Sequence, residues 1–321
     1  MTARCMATSL SGGSEMREQF IEWRPQRKTL AMIDHIESIC AELAAQGYEL
    51  TVRQLYYQLV ARDIVPNNFK SYKQIVDITD NARLSGRLDW RYIVDRTRAT
   101  YRTDGADTSP EEAIRATADS YSRALWETQP NHVEVWVEKE ALVGIVQQAA
   151  RGVQCAYFAN RGYVSQSEMY SAGQRFSAYG RAGKSNYVIH LGDHDPSGID
   201  MTRDIEDRLL MFAGRHAPQV RRIALNMDQI EQYEPPPNFA KTTDARYEGY
   251  AELYGEESWE LDALNPQTLD ALISTEVLSL RDEDLWQQAE AQQERERGEL
   301  TVVADNWQDI IDQWYEPSES S

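Results

Sequence analysis

Glu138 ends a run of alternating valines (Val133, Val135, Val137), and Asp193 and Asp195 follow a second apolar run in Leu191-Gly192-Asp193-His194-Asp195-Pro196-Ser197-Gly198. Residues i and i+2 of an extended chain point the same way, so Asp193 and Asp195 can converge while His194 points elsewhere. Three hard oxygen ligands completed by water are a set that Mg²⁺ takes. Such an ion polarises a phosphoryl oxygen or stabilises an attacking or leaving oxygen. Taken alone, Asp-X-Asp-Pro is an ordinary turn and Glu138 an ordinary strand end. An acid ending one strand and a paired acid ending another favour the metal site.

A second group stands earlier, in Arg53-Gln54-Leu55-Tyr56-Tyr57. Val52, Leu55, Tyr56 and Leu59 share a stripe at helical spacing and predict a core face. Tyr57 lies about 100° off that stripe, four residues after Arg53. The spacing therefore predicts a packed Tyr56 and an exposed Tyr57. A phenol beside a guanidinium suits attack on a phosphodiester, because the cation holds the phosphate and favours phenolate. The plain alternative is that both tyrosines only pack.

The elements around these residues fall into two patterns. Residues 1–24 read as a disordered or loosely docked tail. A helix runs from Pro25 to Gly47 with Leu30, Ile33, Ile36, Cys40 and Leu43 on one face. Thr51-Val-Arg-Gln54 is a capping box opening a second helix, and Ser71-Tyr-Lys-Gln74 opens a third that ends near Gly86. Arg91–Arg102 has β-compatible composition, so residues 25–130 read as a helical, winged-helix type domain. Ser109-Pro110 starts one more helix, to about Trp126. From Asn131 strands alternate with helices: strand 131–137, helix from Ala141, strand 153–159, helix 165–182, strand 187–191, helix 199–213 and strand 220–225. That alternation predicts an α/β domain (α+β for the whole chain) over 131–264, with a mainly parallel four-stranded sheet flanked by helices. Glu138, Asp193 and Asp195 then fall at the carboxyl ends of strands, where open sheets place ligands. Residues 265–321 read as a helical, acidic extension.

The chain has 321 residues and a net charge of −19, which argues against nucleic acid as a partner. The acid is unevenly spread: residues 131–321 carry 34 acidic and 16 basic side chains, residues 1–130 carry 18 and 17. Within 62–102 nine basic residues face five acidic ones, and a phosphate responds only to charge within about 8–10 Å. Arg83, Arg87 and Arg91, with Arg96, Arg98, Arg102 and Lys139, are therefore candidate DNA contacts. The first three share a helix face only if the helix continues past Gly86. Three widely spaced cysteines (Cys5, Cys40, Cys155) predict neither a disulfide frame nor a zinc site. No membrane span or signal segment is visible, so a cytoplasmic, nucleoid-associated protein is expected. Ala178–Ser185 fits a relaxed phosphate-loop pattern but lies between a helix and a following strand, the reverse of a true one. Glu260 and Asp262 either add charge near the metal or lie at the surface, and the surface is the expected place; His190 is expected in the core, and no role falls to His190 or His194.

Val137-Glu-Lys-Glu-Ala-Leu142 together with Gly192-Asp-His-Asp-Pro-Ser-Gly-Ile-Asp200 resembles a Toprim domain. The pair is most similar to the A subunit of type IIB DNA topoisomerases and the related meiotic protein that makes double-strand breaks, in a short free-standing form. Gly162-Tyr-Val-Ser165 falls where that family has a Gly-X-Pro-type turn, with the proline absent here. The resemblance covers roughly residues 48–205. It implies magnesium on Glu138, Asp193 and Asp195, and Tyr57, second aromatic of an Arg-X-X-aromatic-Tyr sequence, as nucleophile with Arg53 beside it. It also implies double-stranded DNA as substrate, a 5′-phosphotyrosyl link, a homodimer pairing the tyrosine of one protomer with the metal of the other, and a partner ATPase for strand passage. Two alternatives stay open: a Toprim nuclease that uses water, with Tyr57 incidental, and a non-catalytic DNA-binding protein of the same fold.

Overall fold

The computed structural model describes residues 17–94, 109–160 and 162–314. Helix α1 (Arg27–Ala44) buries Ile33, Ile36, Ile39, Cys40 and Leu43; Leu30, at its exposed start, stays outside that face. The capping box at Thr51 forms as its sequence requires. The Thr51 hydroxyl accepts from the Gln54 N–H, and the Gln54 side chain accepts from the Thr51 N–H at 2.8 Å, opening α2 (Val52–Ala61). Helix α3 (Phe69–Leu84) begins three residues before its predicted start, because Asn68 is the cap: its side chain accepts from the Ser71 N–H at 2.9 Å. It stops before Gly86, whose φ of 69° suits glycine.

Residues 17–24 are attached rather than loose. The Phe20 N–H donates to Leu84 O at 2.7 Å, and the Phe20 ring meets Trp90 edge-on at 6.0 Å. Of the predicted extended stretch, Ile93 forms a single parallel bridge with Leu50; residues 95–108, with Arg96, Arg98 and Arg102, lie outside the described residues. Helix α4 (Pro110–Ser120) is shorter than predicted, and its partner is the long α11 (Glu283–Asp305) rather than the N-terminal helices.

The α/β unit alternates as predicted: β1 (Asn131–Val137), α5 (Val143–Gly152), β2 (Ala156–Ala159), α6 (Gln166–Arg181), β3 (Ser185–Leu191), α7 (Pro196–Ala213) and β4 (Gln219–Ala224). The strands form one sheet in the order β2-β1-β3-β4, every pair parallel. Alternation along β1 decides which side each residue serves. Val133, Val135 and Val137 face a core that includes Ile145 and Val146 of α5. Trp136 faces the other, with Phe176 of α6 and Leu209 of α7. Beyond β4 come α8 (Met227–Tyr233), the two-residue strands β5 (Asn238–Phe239) and β6 (Glu257–Ser258), which pair antiparallel around α9 (Tyr247–Tyr254), then α10 (Pro266–Ser279) and finally α12 (Trp307–Trp314).

Two predicted boundaries shift. Leu269, Ile273 and Val277 of α10 pack into the same core as Val133 and Val135, so residues 266–279 complete the sheet layer rather than extend it. That core also takes in Ile36, Leu55 and Leu59, joining the N-terminal helices to the sheet. Among the described residues no helix is long and apolar enough to cross a membrane.

Candidate functional site

The chain leaves β1 toward β2 on one side and returns past it to β3 on the other, so the order reverses between β1 and β3. Loops diverge at such a point and leave a crevice at the carboxyl ends of the strands. Glu138 follows β1 and Asp193 follows β3, one on each side of it. They are joined directly: the Asp193 N–H donates to Glu138 Oε2 at 2.9 Å, and the Glu138 N–H to Leu191 O at 2.9 Å. The glycines explain how the pieces fit so closely. A Cβ on Gly198 would lie 2.2 Å from Asp193 O and 3.1 Å from Glu138 Oε2, and one on Gly192 would lie 2.9 Å from Glu138 Oε2. Asp195 caps α7, accepting from the Gly198 N–H at 2.6 Å and the Ser197 hydroxyl at 3.0 Å. Underneath, the buried Arg222 guanidinium holds the loop by its carbonyls, Asp193 O at 2.6 Å, Gly192 O at 2.9 Å and Gly198 O at 3.0 Å.

A second segment arrives from 67 residues further on. His194 and Trp259 form an antiparallel bridge with both N–H···O bonds at 2.9 Å. This sets Glu260 and Asp262 against the strand ends. The Asp193 carboxylate accepts from the Leu261 N–H at 2.7 Å. Asp193, Glu260 and Asp262 bring carboxylate oxygens within 4.8 Å of one another and could bind a metal ion. Their hard oxygen donors fit a small divalent cation. Asp262 is 2 % exposed, so the surface position expected for it is wrong: the bridge at His194 folds that segment inward. The grouping also differs from the predicted trio. Asp193 is common to both, while Glu138 braces the loop and Asp195 caps a helix at its edge.

Two side-chain cations hold this cluster. Lys139 Nζ lies 2.8 Å from Asp193 Oδ1 and 3.1 Å from Asp262 Oδ1, and also bonds Glu260. Arg53 reaches across from α2 to Glu260 at 2.8 Å and Asp262 at 2.9 Å. Burial works against the Lys139 charge, but Asp262, Asp193 and Glu260 outweigh it and raise the ammonium's pKa. Burial pushes the Asp193 carboxyl well up, with Glu138, Glu260 and Asp262 adding to it against the pull of Lys139. Burial, with Asp195 adding, likewise raises Glu138. Glu260 goes the other way: Lys139 and Arg53 overcome its burial and lower it. Five acidic side chains thus crowd around three cations (Lys139, Arg53, Arg222), and the upward shifts of Asp193 and Glu138 are the response of the most buried of them to that crowding.

Tyr57 stands on the wall of an adjoining cavity of about 440 Å³, shared with Arg53, Asp195, Asn238 and Glu260. It is 5 % exposed, not the exposed residue that its helical angle suggested, because β5 and the 259–262 turn cover that side of α2. Hydrogen bonding separates the two tyrosines where exposure does not. The Tyr56 hydroxyl is bound into the loop before α3, donating to Asn67 Oδ1 at 3.0 Å and accepting from the Asn68 N–H at 2.8 Å. The Tyr57 hydroxyl accepts from Asn238 Nδ2 at a long 3.5 Å, and Arg53 lies 5.9 Å from its ring. Burial, then Asp262 and Glu260, raise the phenol's pKa against the pull of Asn238 and Arg53. Tyrosine and acids come together here within a single chain.

The expected DNA-contacting residues do not form one stripe. Since α3 ends at Leu84, Arg83 turns over Trp90 at 4.4 Å. Arg91 is paired with Asp89 at 2.7 Å, Arg87 is exposed on the following loop, and Lys139 is enclosed by carboxylates. His190, fully buried with Nδ1 2.9 Å from Thr202 Oγ1, is pushed down to about 3 by burial and Arg222. His194, 2.8 Å from the Tyr250 hydroxyl, is pushed down to about 4. Both are neutral props at neutral pH, not bases. Sequence reasoning gave Arg222 and Asn238 no role. No motif marks Asn238, whereas the adjacent Arg221 and Arg222 of β4 were a readable signal, since alternation along a strand sends the two to opposite faces of the sheet. No family model matches the chain, and no curated protein is similar enough to it to match.

Proposed function

We propose that the protein is a Mg²⁺-dependent DNA-cleaving transesterase, resembling the A subunit of type IIB topoisomerases, with a winged-helix module ahead of a Toprim domain. One observation carries this reading: Tyr57 and Arg53 of the N-terminal helices share a cavity with Asp195 and Glu260 of the acidic strand ends. The Tyr57 oxygen gives its proton to water as it attacks phosphorus, the new bond to tyrosine replaces the bond to the 3′ oxygen, and the departing 3′ oxygen takes a proton from water. Arg53 sits where it can shift from Glu260 and Asp262 to the phosphate. Asp193, Glu260 and Asp262, beside Glu138 and Asp195, would hold Mg²⁺, which when bound would supply positive charge for the phosphoryl and leaving oxygens. A staggered double-strand break needs one such site per strand, so the working unit is a homodimer on double-stranded DNA. Strand passage would need a separate ATPase subunit.

The test is covalent trapping. Duplex DNA labelled at the 3′ end is incubated with protein and Mg²⁺, then denatured in detergent. Label attached to protein, and lost in Tyr57→Phe, supports the reading. Free ends that survive Tyr57→Phe but not Asp193→Ala identify a water-using nuclease instead. Binding without cleavage identifies a non-catalytic protein of this fold.

A further inference from the structure

Phe69, first residue of α3, and Phe239, on β5, are 79 % and 89 % exposed, and both line the cavity that holds Tyr57. A scattered exposed phenylalanine needs no explanation. Two at the opening of one polar cavity are different, because each forgoes the stabilisation that burial in a core would give. Nor are they on loose segments. Asn67 Nδ2 donates to Pro237 O at 3.0 Å and to Asn238 Oδ1 at 3.1 Å, which ties the chain before Phe69 to the chain before Phe239. The Asn68 N–H is fixed on the Tyr56 hydroxyl. The two rings are therefore presented together, by segments already ordered.

Behind them the cavity has an aromatic wall, Tyr57 and Tyr72, and the Asn238 amide, with the cations Arg53 and Lys241 and the acids Asp195 and Glu260 at its edge. Aromatic faces with an amide and nearby cations are what a nucleotide requires: stacking for the ring, hydrogen bonds for its edge, charge for its phosphate. The volume, about 440 Å³, is within the range of small-ligand sites. Tyr57 supplies the reason a base should enter. The residue is 5 % exposed, too recessed for the backbone of a regular duplex to reach, and unstacking a step kinks the duplex and lets it follow the protein surface more closely.

We propose that this cavity takes up a nucleobase unstacked from the duplex beside the bond that Tyr57 attacks, with Phe69 and Phe239 as its stacking faces. The substrate class is DNA with a weakened or mispaired step at the cleavage point. This rests on the proposed function. The test reads binding without divalent metal, so cleavage does not intervene: the full chain is titrated into a paired duplex and into the same duplex with one mismatch, each carrying 2-aminopurine at that step. The wild type should prefer the mismatched duplex by about tenfold and raise the 2-aminopurine fluorescence. Phe69→Ala/Phe239→Ala should lose the preference and leave the fluorescence unchanged, while Phe69→Trp/Phe239→Trp keeps the preference. A double alanine variant that keeps the preference, or a wild type without one, overturns the proposal and leaves the cleavage reading standing. So does a double alanine variant that changes only the oligomeric state, which would make the pair a face between copies. A wild type that binds no DNA overturns the cleavage reading as well.

Discussion

Lys139 Nζ lies 2.8 Å from Asp193 Oδ1, so the residue next to one strand-end acid neutralises the other. The same ammonium bonds Glu260 and Asp262, and it is a tethered cation in the centre of an acid cluster. Lys139→Met should therefore lower stability without metal by roughly 2–3 kcal/mol, less than full burial would give because the pair is partly exposed. Added Mg²⁺ should restore more of the melting temperature in this variant than in wild type. Thermal melts with and without Mg²⁺ check this; an equal Mg²⁺ shift in both would mean Lys139 and the ion do not share these carboxylates.

Tyr57→Phe should abolish the covalent adduct while costing less than about 1 kcal/mol of stability, because the hydroxyl's bond to Asn238 is a long one. Tyr56→Phe should do the reverse. It loses the bonds to Asn67 and Asn68, destabilising by about 1–2 kcal/mol, and keeps some adduct. Denaturant unfolding beside adduct formation distinguishes them, and equal loss of adduct in both variants would remove Tyr57 as the specific nucleophile.

Gly198→Ala should destabilise by about 1–3 kcal/mol, since the new methyl would meet Asp193 O at 2.2 Å. It should also abolish any metal-induced rise in melting temperature, by displacing the Asp193 loop. Gly249→Ala is the matched control. It lies in α9 with nothing within 4 Å of the added carbon, and should raise stability by about 0.5–1 kcal/mol. A Gly198→Ala protein that melts like wild type would show the contact to be slack.

Glu134 is buried between His132 Nε2 at 3.0 Å, Arg175 at 2.6 Å and Trp136 Nε1 at 2.9 Å. Burial opposes its charge, but the hydrogen bonds from His132 and Arg175 hold its carboxyl down to about 2 against an ordinary 4.5. A carboxylate with a lowered folded pKa stabilises above its unfolded value and loses that stabilisation as pH falls through the folded one. The window is therefore pH 4.5 down to about 2, and the amount about 3 kcal/mol. Glu134→Gln should flatten the stability profile across this window. An unchanged slope would place the acid sensitivity elsewhere.

The fold was largely legible because its signals are local. The valines of β1, the Thr51 capping box and the Asn265-Pro266 start of α10 each follow from neighbours in sequence. The site was legible only where two strand ends meet. Asp193 could be found from its motif, but Glu260 and Asp262 could not, because nothing near them records the His194–Trp259 bridge that folds them inward. The exposure of Tyr57 failed for the same reason: helical angle says which residues share a face, not which distant segment will cover it. Arg83 and Arg91 show the converse, charges legible in sequence whose partners, Trp90 and Asp89, make them structural.

The position of α10 has a consequence for synthesis. Tyr48, made 222 residues before its partner, bonds Asp270 Oδ2 at 3.0 Å, and Val133 and Val135 share a core with Ile273 and Val277. Until Val277 has been made, the part of that sheet face near β3 and β4 that α10 covers stays bare to solvent, and exposed apolar surface of that kind is what draws nascent chains into aggregates. A ribosome stalled anywhere before α10 would therefore release a sticky product, and a chain cut at residue 264 should need a chaperone to stay in solution.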